Sequence, residues 1–160
     1  MGPKFPIFLK DVQESDMDLL WRWANDISVR NNSFNSFFIK YEEHKKWFLK
    51  GLKDKNRIML IALDSNNCKL GQIRFDLDKS KRTAIIDISI DPASRSFGIA
   101  NTTIKLGLKR MREEWGENVI AEAKILKSNQ TSINCFTKAG FAREDDNLNE
   151  NSNFLVFKNI

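Results

Sequence analysis

Three apolar runs of strand length, over residues 57–63, 69–77 and 82–90, follow one another with only the polar breaks Asp64-Ser65-Asn66-Asn67 and Asp78-Lys79-Ser80 between them. Connections this short cannot carry a crossover, so the three runs pair as antiparallel neighbours. The third run leads through Arg95-Ser96-Phe97-Gly98-Ile99-Ala100, read as R-x-x-G-x-A, into a helical stretch that begins near Asn101. A strand meander that ends on a strand–loop–helix junction predicts a mixed α+β chain in which the loop is a candidate ligand site.

The physics of such a junction favours an anion. The first amides of a helix have no intrahelical partner, and the helix dipole adds partial positive charge, so a diphosphate can sit there. Gly98 permits close backbone approach, and Arg95 can add a charge-assisted bond to a phosphate oxygen. The spacing is not that of a P-loop, because no Gly-Lys-Ser/Thr follows, and it is not the three-glycine dinucleotide fingerprint. An ordinary strand-to-helix turn is the alternative reading of these six residues alone.

Around this centre the chain reads as one domain over 1–160, without repeats or a Pro/Gly/Ser-rich linker. A first strand is expected over 5–12, then a helix N-capped by Ser15 and running to Asn25. The segment 27–38, with Asn31-Asn32-Ser33, predicts an irregular loop, and 42–52 a second helix. After the loop come a helix over 101–115, a strand over 118–125, a helix over 132–139 and strands over 141–143 and 154–157.

The longest apolar runs are only a few residues and the N-terminus lacks the apolar core of a signal peptide, so neither membrane nor export is expected and the location is read as cytoplasmic. Cys68 and Cys135 sit in no metal-ligand spacing, and one histidine excludes a histidine-rich metal site, so no metal is expected. A formal charge of +5 with a pI near 9.2 suits an anionic ligand. The basic residues are scattered, as on solvated helix faces and turns, so no nucleic-acid partner is read from them.

A second stretch, Asn129-Gln-Thr-Ser-Ile-Asn-Cys-Phe136-Thr-Lys-Ala-Gly140-Phe141, stands about 30 residues downstream of the loop. Together the two resemble the pyrophosphate loop and the N-x-x-[AS]-x-x-x-[YF]-x-K-x-G-F segment of the GCN5-related N-acetyltransferases. The resemblance covers nearly the whole chain. It implies a three-layer fold with a mixed, mostly antiparallel sheet of about seven strands, four helices and a V-shaped splay between the fourth and fifth strands.

It further implies acetyl-CoA as acetyl donor. The backbone of Ile88 and Ile90 would meet the pantetheine arm and acetyl carbonyl. Arg95, Ser96, Phe97, Gly98, Ile99, Ala100 and Asn101 would hold the diphosphate, and Asn129 and Phe136 would line the cofactor further along. Family members often protonate the leaving thiolate with a tyrosine where this chain has Phe136, and a phenyl ring has no proton to give. Departure unassisted or through water, substitution by Cys135 or Ser132, and loss of activity remain open, while Cys135 reads as a packed helix residue.

Acetyl transfer needs a neutral amine, hence a base near it. The candidates are Glu122, Asp87 and His44, each with a structural role as the alternative: an ion pair with Arg74 or a lysine for the carboxylates, helix packing or capping for the histidine. The stretch 35–48, with His44, Trp47 and Phe48, resembles the I-x-x-x-x-H-x-x-W/F-F segment of the branch that acts on nucleotide-linked 4-amino sugars. Trp21-Arg22-Trp23-Ala-Asn25-Asp26-Ile-Ser-Val-Arg30 resembles its W-R-N-D-x-x-V-R run with Trp-Ala inserted. That likeness implies an acceptor pocket of Arg30, His44, Arg74 and Glu122, with Phe34 and Phe38 for stacking.

Three functions follow as expectations: N-acetylation of a nucleotide-linked amino sugar, N-terminal acetylation of a peptide or ribosomal protein, and a non-catalytic CoA-binding module. A closed pocket around Arg30, His44 and Arg74 would mark the sugar; an open or acidic groove would mark the peptide. A homodimer is left open.

Overall fold

The computed structural model describes residues 2–145 and 151–160. In chain order these form β1 (Phe8–Asp11), a 3₁₀ turn (Glu14–Asp16), α1 (Met17–Ala24), α2 (Ile27–Asn31), α3 (Tyr41–Leu52), β2 (Arg57–Leu63), β3 (Lys69–Asp78) and β4 (Thr83–Ile90). A second 3₁₀ turn (Pro92–Ser94) leads into α4 (Ile99–Trp115), β5 (Ile120–Leu126), α5 (Gln130–Lys138), β6 (Ala142–Arg143) and β7 (Phe154–Asn159). The strands make one sheet in the order β1-β2-β3-β4-β5-β7-β6. All neighbours are antiparallel except β4 and β5, which run parallel. The expected α+β fold is the one found.

The meander pairs as its short turns require, with Arg74 opposite Met59 on one side and Asp87 on the other. Side-chain alternation then divides β2 between two layers. Met59, Ile61 and Leu63 pack with Leu20 and Trp23 of α1 and Phe48 of α3. Ile58 and Leu60 join Ile73, Phe75 and Ile86 in the larger core beneath Ile104, Leu108 and Met111 of α4 and Phe136 of α5. Helix α4 lies close on the sheet: a Cβ at Gly107 would come within 2.7 Å of Ile73 Cδ1.

The pairing of β4 with β5 stops after Thr83–Ile85 meets Ile120–Glu122. β5 pairs with β7 on its other edge from Ala121 to Leu126, so Ile86–Ile90 and Ala123–Leu126 diverge. The expected splay is therefore present, and its apex lies beside Ile86 and Asp87.

Two expectations require correction. The stretch 27–38 is not wholly irregular: Ile27–Asn31 is helical, with Asp26 as N-cap accepting the Val29 amide, which gives five α-helices rather than four. The polar composition hid this short helix, although an Asp before Ile-Ser-Val is a cap signal. Helix α1 is not capped by Ser15; it begins at Met17 after the 3₁₀ turn. At that turn the fully buried Asp16 accepts the Gln13 amide and pairs with Lys69 at 2.6 Å.

Candidate functional site

The splay opens a long groove of about 980 Å³ bounded by the inner edges of β4 and β5, the start of α4 and the face of α5. Ile88, Ile90, Arg95, Ser96, Gly98, Ile99, Ala100, Asn101, Asn129 and Phe136 all line it. Phe97 does not; it is 59% exposed. Ser96 and Gly98 have φ of 70° and 73°, and left-handed residues of this kind curl a loop so that successive amides can converge on an anion. No side chain caps α4, so its first-turn amides are left to a ligand or to solvent.

Arg95 is spoken for within the chain. Its Nε donates to the Ile90 carbonyl at 3.1 Å, Nη1 to Ser28 Oγ at 2.8 Å and Nη2 to Asp26 Oδ1 at 2.7 Å. The bond from Arg95, helped by that from Ser28, holds the Asp26 carboxyl down at about 2. Asn129 caps α5, its side-chain carbonyl accepting the Ser132 amide and its NH₂ donating to Ser132 Oγ. Phe136 is buried edge-to-face against Phe141, 5.0 Å between centroids. Cys135, beside it on the groove wall, has its thiol pushed up by burial.

A smaller cavity of about 410 Å³ lies between α1–α3 and the sheet. It collects Arg30, His44, Arg74 and Asp87 from the expected set, and adds Glu43, Trp47, Gln72 and Ser89. Gln72 and Ser89 flank Asp87 by register and alternation, a signal the strand pattern contained. Glu43 and Trp47 accompany His44 on α3.

His44 is 4% exposed, and burial holds its imidazole below the ordinary value. Its Nε2 lies 3.1 Å from the Met17 carbonyl, which can only accept, so Nε2 carries the proton and Nδ1 is the basic nitrogen. The ring stacks on Phe48 and tilts against Trp47.

Arg57 and Arg74 both lie over the Trp47 ring, each 5.0 Å from its centroid, and share Asp76 at 2.5 and 2.8 Å. Arg74 reaches Asp87 at 3.7 Å, while Gln72 Nε2 donates to Asp87 Oδ2 at 2.9 Å.

Arg30 is not a loose anion clamp. Its donors go to the Ala24, Asn35 and Phe37 carbonyls and to Ser33 Oγ, bracing the segment after α2. Asn25 and Trp21 hold the same segment through Ile39. Glu122 lines neither cavity; its carboxylate lies 3.9 Å from Lys158 Nζ and 4.0 Å from Lys124 Nζ. Phe34 and Phe38 line neither, Phe34 meeting Phe154 and Phe38 meeting Trp21 edge-on.

The two cavities share Val29, Ser33, Asp87, Ile88 and Ser89. Among the described residues Asp87 is thus the sole titratable side chain that borders both.

A sheet that splits beside an uncapped helix start, with a long groove in the split and a smaller cavity adjoining it at Asp87, has room for two substrates to meet. The family model for the acetyltransferase (GNAT) family matches residues 17–141, and the chain belongs to that family. It is an N-acetyltransferase whose acetyl donor is acetyl-CoA.

Solved structures agree on the fold. A domain from Methanocaldococcus jannaschii DSM 2661 is 22% identical over 98% of this chain and 99% of that one, TM-score 0.81. Spermidine N-acetyltransferase from Vibrio cholerae, solved with CoA and spermine, is 16% identical over 95% and 92%, TM-score 0.79. A ribosomal L7/L12 alpha-N-protein acetyltransferase in complex with CoA is 14% identical over 100% and 96%, TM-score 0.78. None of the curated proteins matches the sequence. Among the described residues no cluster of histidine, cysteine and carboxylates could hold a metal ion, and no helix is long and apolar enough to cross a membrane.

Proposed function

We propose that this acetyltransferase modifies the primary amine of an amino sugar carried on a nucleotide, and that Asp87 receives the amine's proton. The observation that carries the reading is the position of Asp87 where the two cavities meet. Acetyl-CoA, when bound, supplies the activated acetyl group; the residues fit it, with Ile88 and Ile90 along the groove and the amides of the 96–101 turn available to the diphosphate. Arg95 shapes that turn through its bonds to Ile90, Ser28 and Asp26.

Asp87 is held in place by Gln72 and Arg74, and its carboxylate attracts an ammonium and takes its proton as the nitrogen becomes nucleophilic. His44, neutral and fixed by Met17, offers a hydrogen-bond acceptor to the acceptor substrate and orients it. Phe136 donates no proton, so the reading leaves the departing sulfur to water.

The acceptor class rests on charge and size. The small cavity carries Arg30 and Arg74 against Glu43 and Asp87, so its ionised groups balance. A polyamine, which is all positive charge, needs an excess of carboxylates that this cavity lacks. Its size suits one sugar with several hydroxyls, and its balanced charge is not that of the acidic groove that a peptide would ask for.

The test is to supply acetyl-CoA with a panel of amino-sugar nucleotides, N-terminal peptides and polyamines and to follow free thiol. Turnover with an amino-sugar nucleotide is expected. Turnover confined to peptides or polyamines would sink the acceptor assignment, and CoA binding without thiol release on any amine would establish a non-catalytic module.

A further inference from the structure

Polar groups between Trp21 and Arg30 serve as scaffolding, and three of their bonds cross from the acceptor side to the loop at α4. Trp23 Nε1 donates to Asp91 Oδ1 at 2.7 Å, Ser28 Oγ accepts from Arg95 Nη1 at 2.8 Å, and Asp26 accepts from Arg95 Nη2 at 2.7 Å. Asp26 is the more telling of the two acidic partners, because its carboxylate joins the Arg95 loop to the start of α2. Its Oδ1 accepts the Arg95 guanidinium, the Ser28 hydroxyl and, at 3.4 Å, the Val29 amide that begins α2.

Helix α2 is only five residues long, and a helix of that length has no stability of its own. The Asp26 cap and the Arg95–Ser28 bond brace its start, and the Arg30 bonds brace its end. α2 and the residues just after it carry Val29, Arg30 and Ser33 into the small cavity, and Val29 and Ser33 border the groove as well, so slowing at 29–33 reports coupling only where it depends on Asp26. The partner of that brace, Arg95, opens the very turn whose amides face the groove.

We infer that Asp26 is a positioning residue that couples the two sites: through Arg95 it sets the loop 95–101, and through its cap it sets the α2 wall of the acceptor cavity. Filling the groove fixes the loop, the loop fixes Arg95, and Arg95 steadies α2. Linkage makes the effect reciprocal, so an acceptor that orders α2 tightens the coenzyme by the same factor. The inference rests on the coenzyme reading of the groove proposed above.

Hydrogen exchange on the intact protein, with and without saturating CoA, tests it directly. In the wild type CoA should slow the amides of 95–101 and also those of 29–33, the latter by about fivefold, at the lower end of allosteric couplings. The variant Asp26→Asn keeps a good helix cap and removes the ion pair. It should retain slowing at 95–101, lose it at 29–33 and bind CoA about fivefold more weakly by calorimetry.

Arg95→Lys retains the charge but cannot reach Ile90, Ser28 and Asp26 together, and should behave like Asp26→Asn, with the double variant no worse than either. A merely structural role would change exchange at 29–33 equally with and without CoA. Slowing at 29–33 that persists in Asp26→Asn, or slowing confined to 95–101 in the wild type, overturns the coupling and leaves the coenzyme reading intact. No slowing at 95–101 in the wild type overturns both.

Discussion

The indole N–H of Trp23 donates to the carboxylate of Asp91 at 2.7 Å, joining α1 to the segment that follows β4. Trp23 is 5% exposed, and the same Asp91 caps the 3₁₀ turn through the Ala93 amide, so this bond anchors the entry to the loop. Trp23→Phe preserves most of the apolar packing and deletes the donor. It should cost about 1.5–3 kcal/mol, the range for a hydrogen bond to a charged group, in a denaturant titration. CoA affinity should weaken in parallel.

Asp87→Asn is nearly isosteric and keeps an oxygen for Gln72. It should lower kcat about 10²-fold or more, the usual size of a lost general base, while calorimetric CoA affinity stays near the wild-type value. Glu122→Gln should leave kcat unchanged, because Glu122 borders neither cavity. An equal loss in the two variants would contradict the assignment.

Gly98 has φ of 73°, where a β-branched residue is strained, and it stands at the start of α4. Gly98→Val should cost about 1–3 kcal/mol of stability. It should also abolish CoA binding at concentrations that saturate the wild type, since Gly98 lines the groove. Unchanged affinity would move the diphosphate elsewhere.

Burial holds the His44 imidazole below its ordinary value, so between the unfolded and folded values the unfolded chain binds the extra proton. Stability should therefore fall as pH drops below about 6.5, the ordinary histidine value, and level off below the folded one. His44→Gln keeps a donor for the Met17 carbonyl and removes the titration. Its melting temperature should be flatter than the wild type's between pH 7 and pH 5. Asp16 adds a separate loss in stronger acid. Burial opposes its ionisation, but the Lys69 bond and the Gln13 amide outweigh that and bring it below the ordinary carboxylate range, so its contribution fades as pH falls through that lowered value.

Local periodicity made most of the elements legible. Strands β2, β3 and β4 and helices α3, α4 and α5 stand within two residues of their expected limits, because side-chain alternation and caps are written in adjacent positions. Asn129, expected as a cofactor contact, also caps α5, whereas Ser15, expected as a cap, does not cap α1. Helix α2 is illegible in the sequence because five residues carry too little periodicity; the Asp26 cap, the Arg30 bonds and the long-range bonds to Arg95 brace it.

What the chain alone determined is thus the inventory: an α+β meander, an anion-suited turn at 95–101, and a short set of ionisable residues with acid–base chemistry. Tertiary structure decided which of them meet. β7 enters between β5 and β6 and pairs with β5 along its whole length, β5 leaves β4 after three residues, and so Asp87 borders both cavities while Glu122 is drawn toward Lys158. Arg95, readable as a phosphate ligand, bonds instead to a carboxylate 69 positions earlier. The physical reason is the same in each case: backbone period is a property of neighbours in sequence, whereas the partner of a charge depends on register, splay and packing summed over the whole sheet.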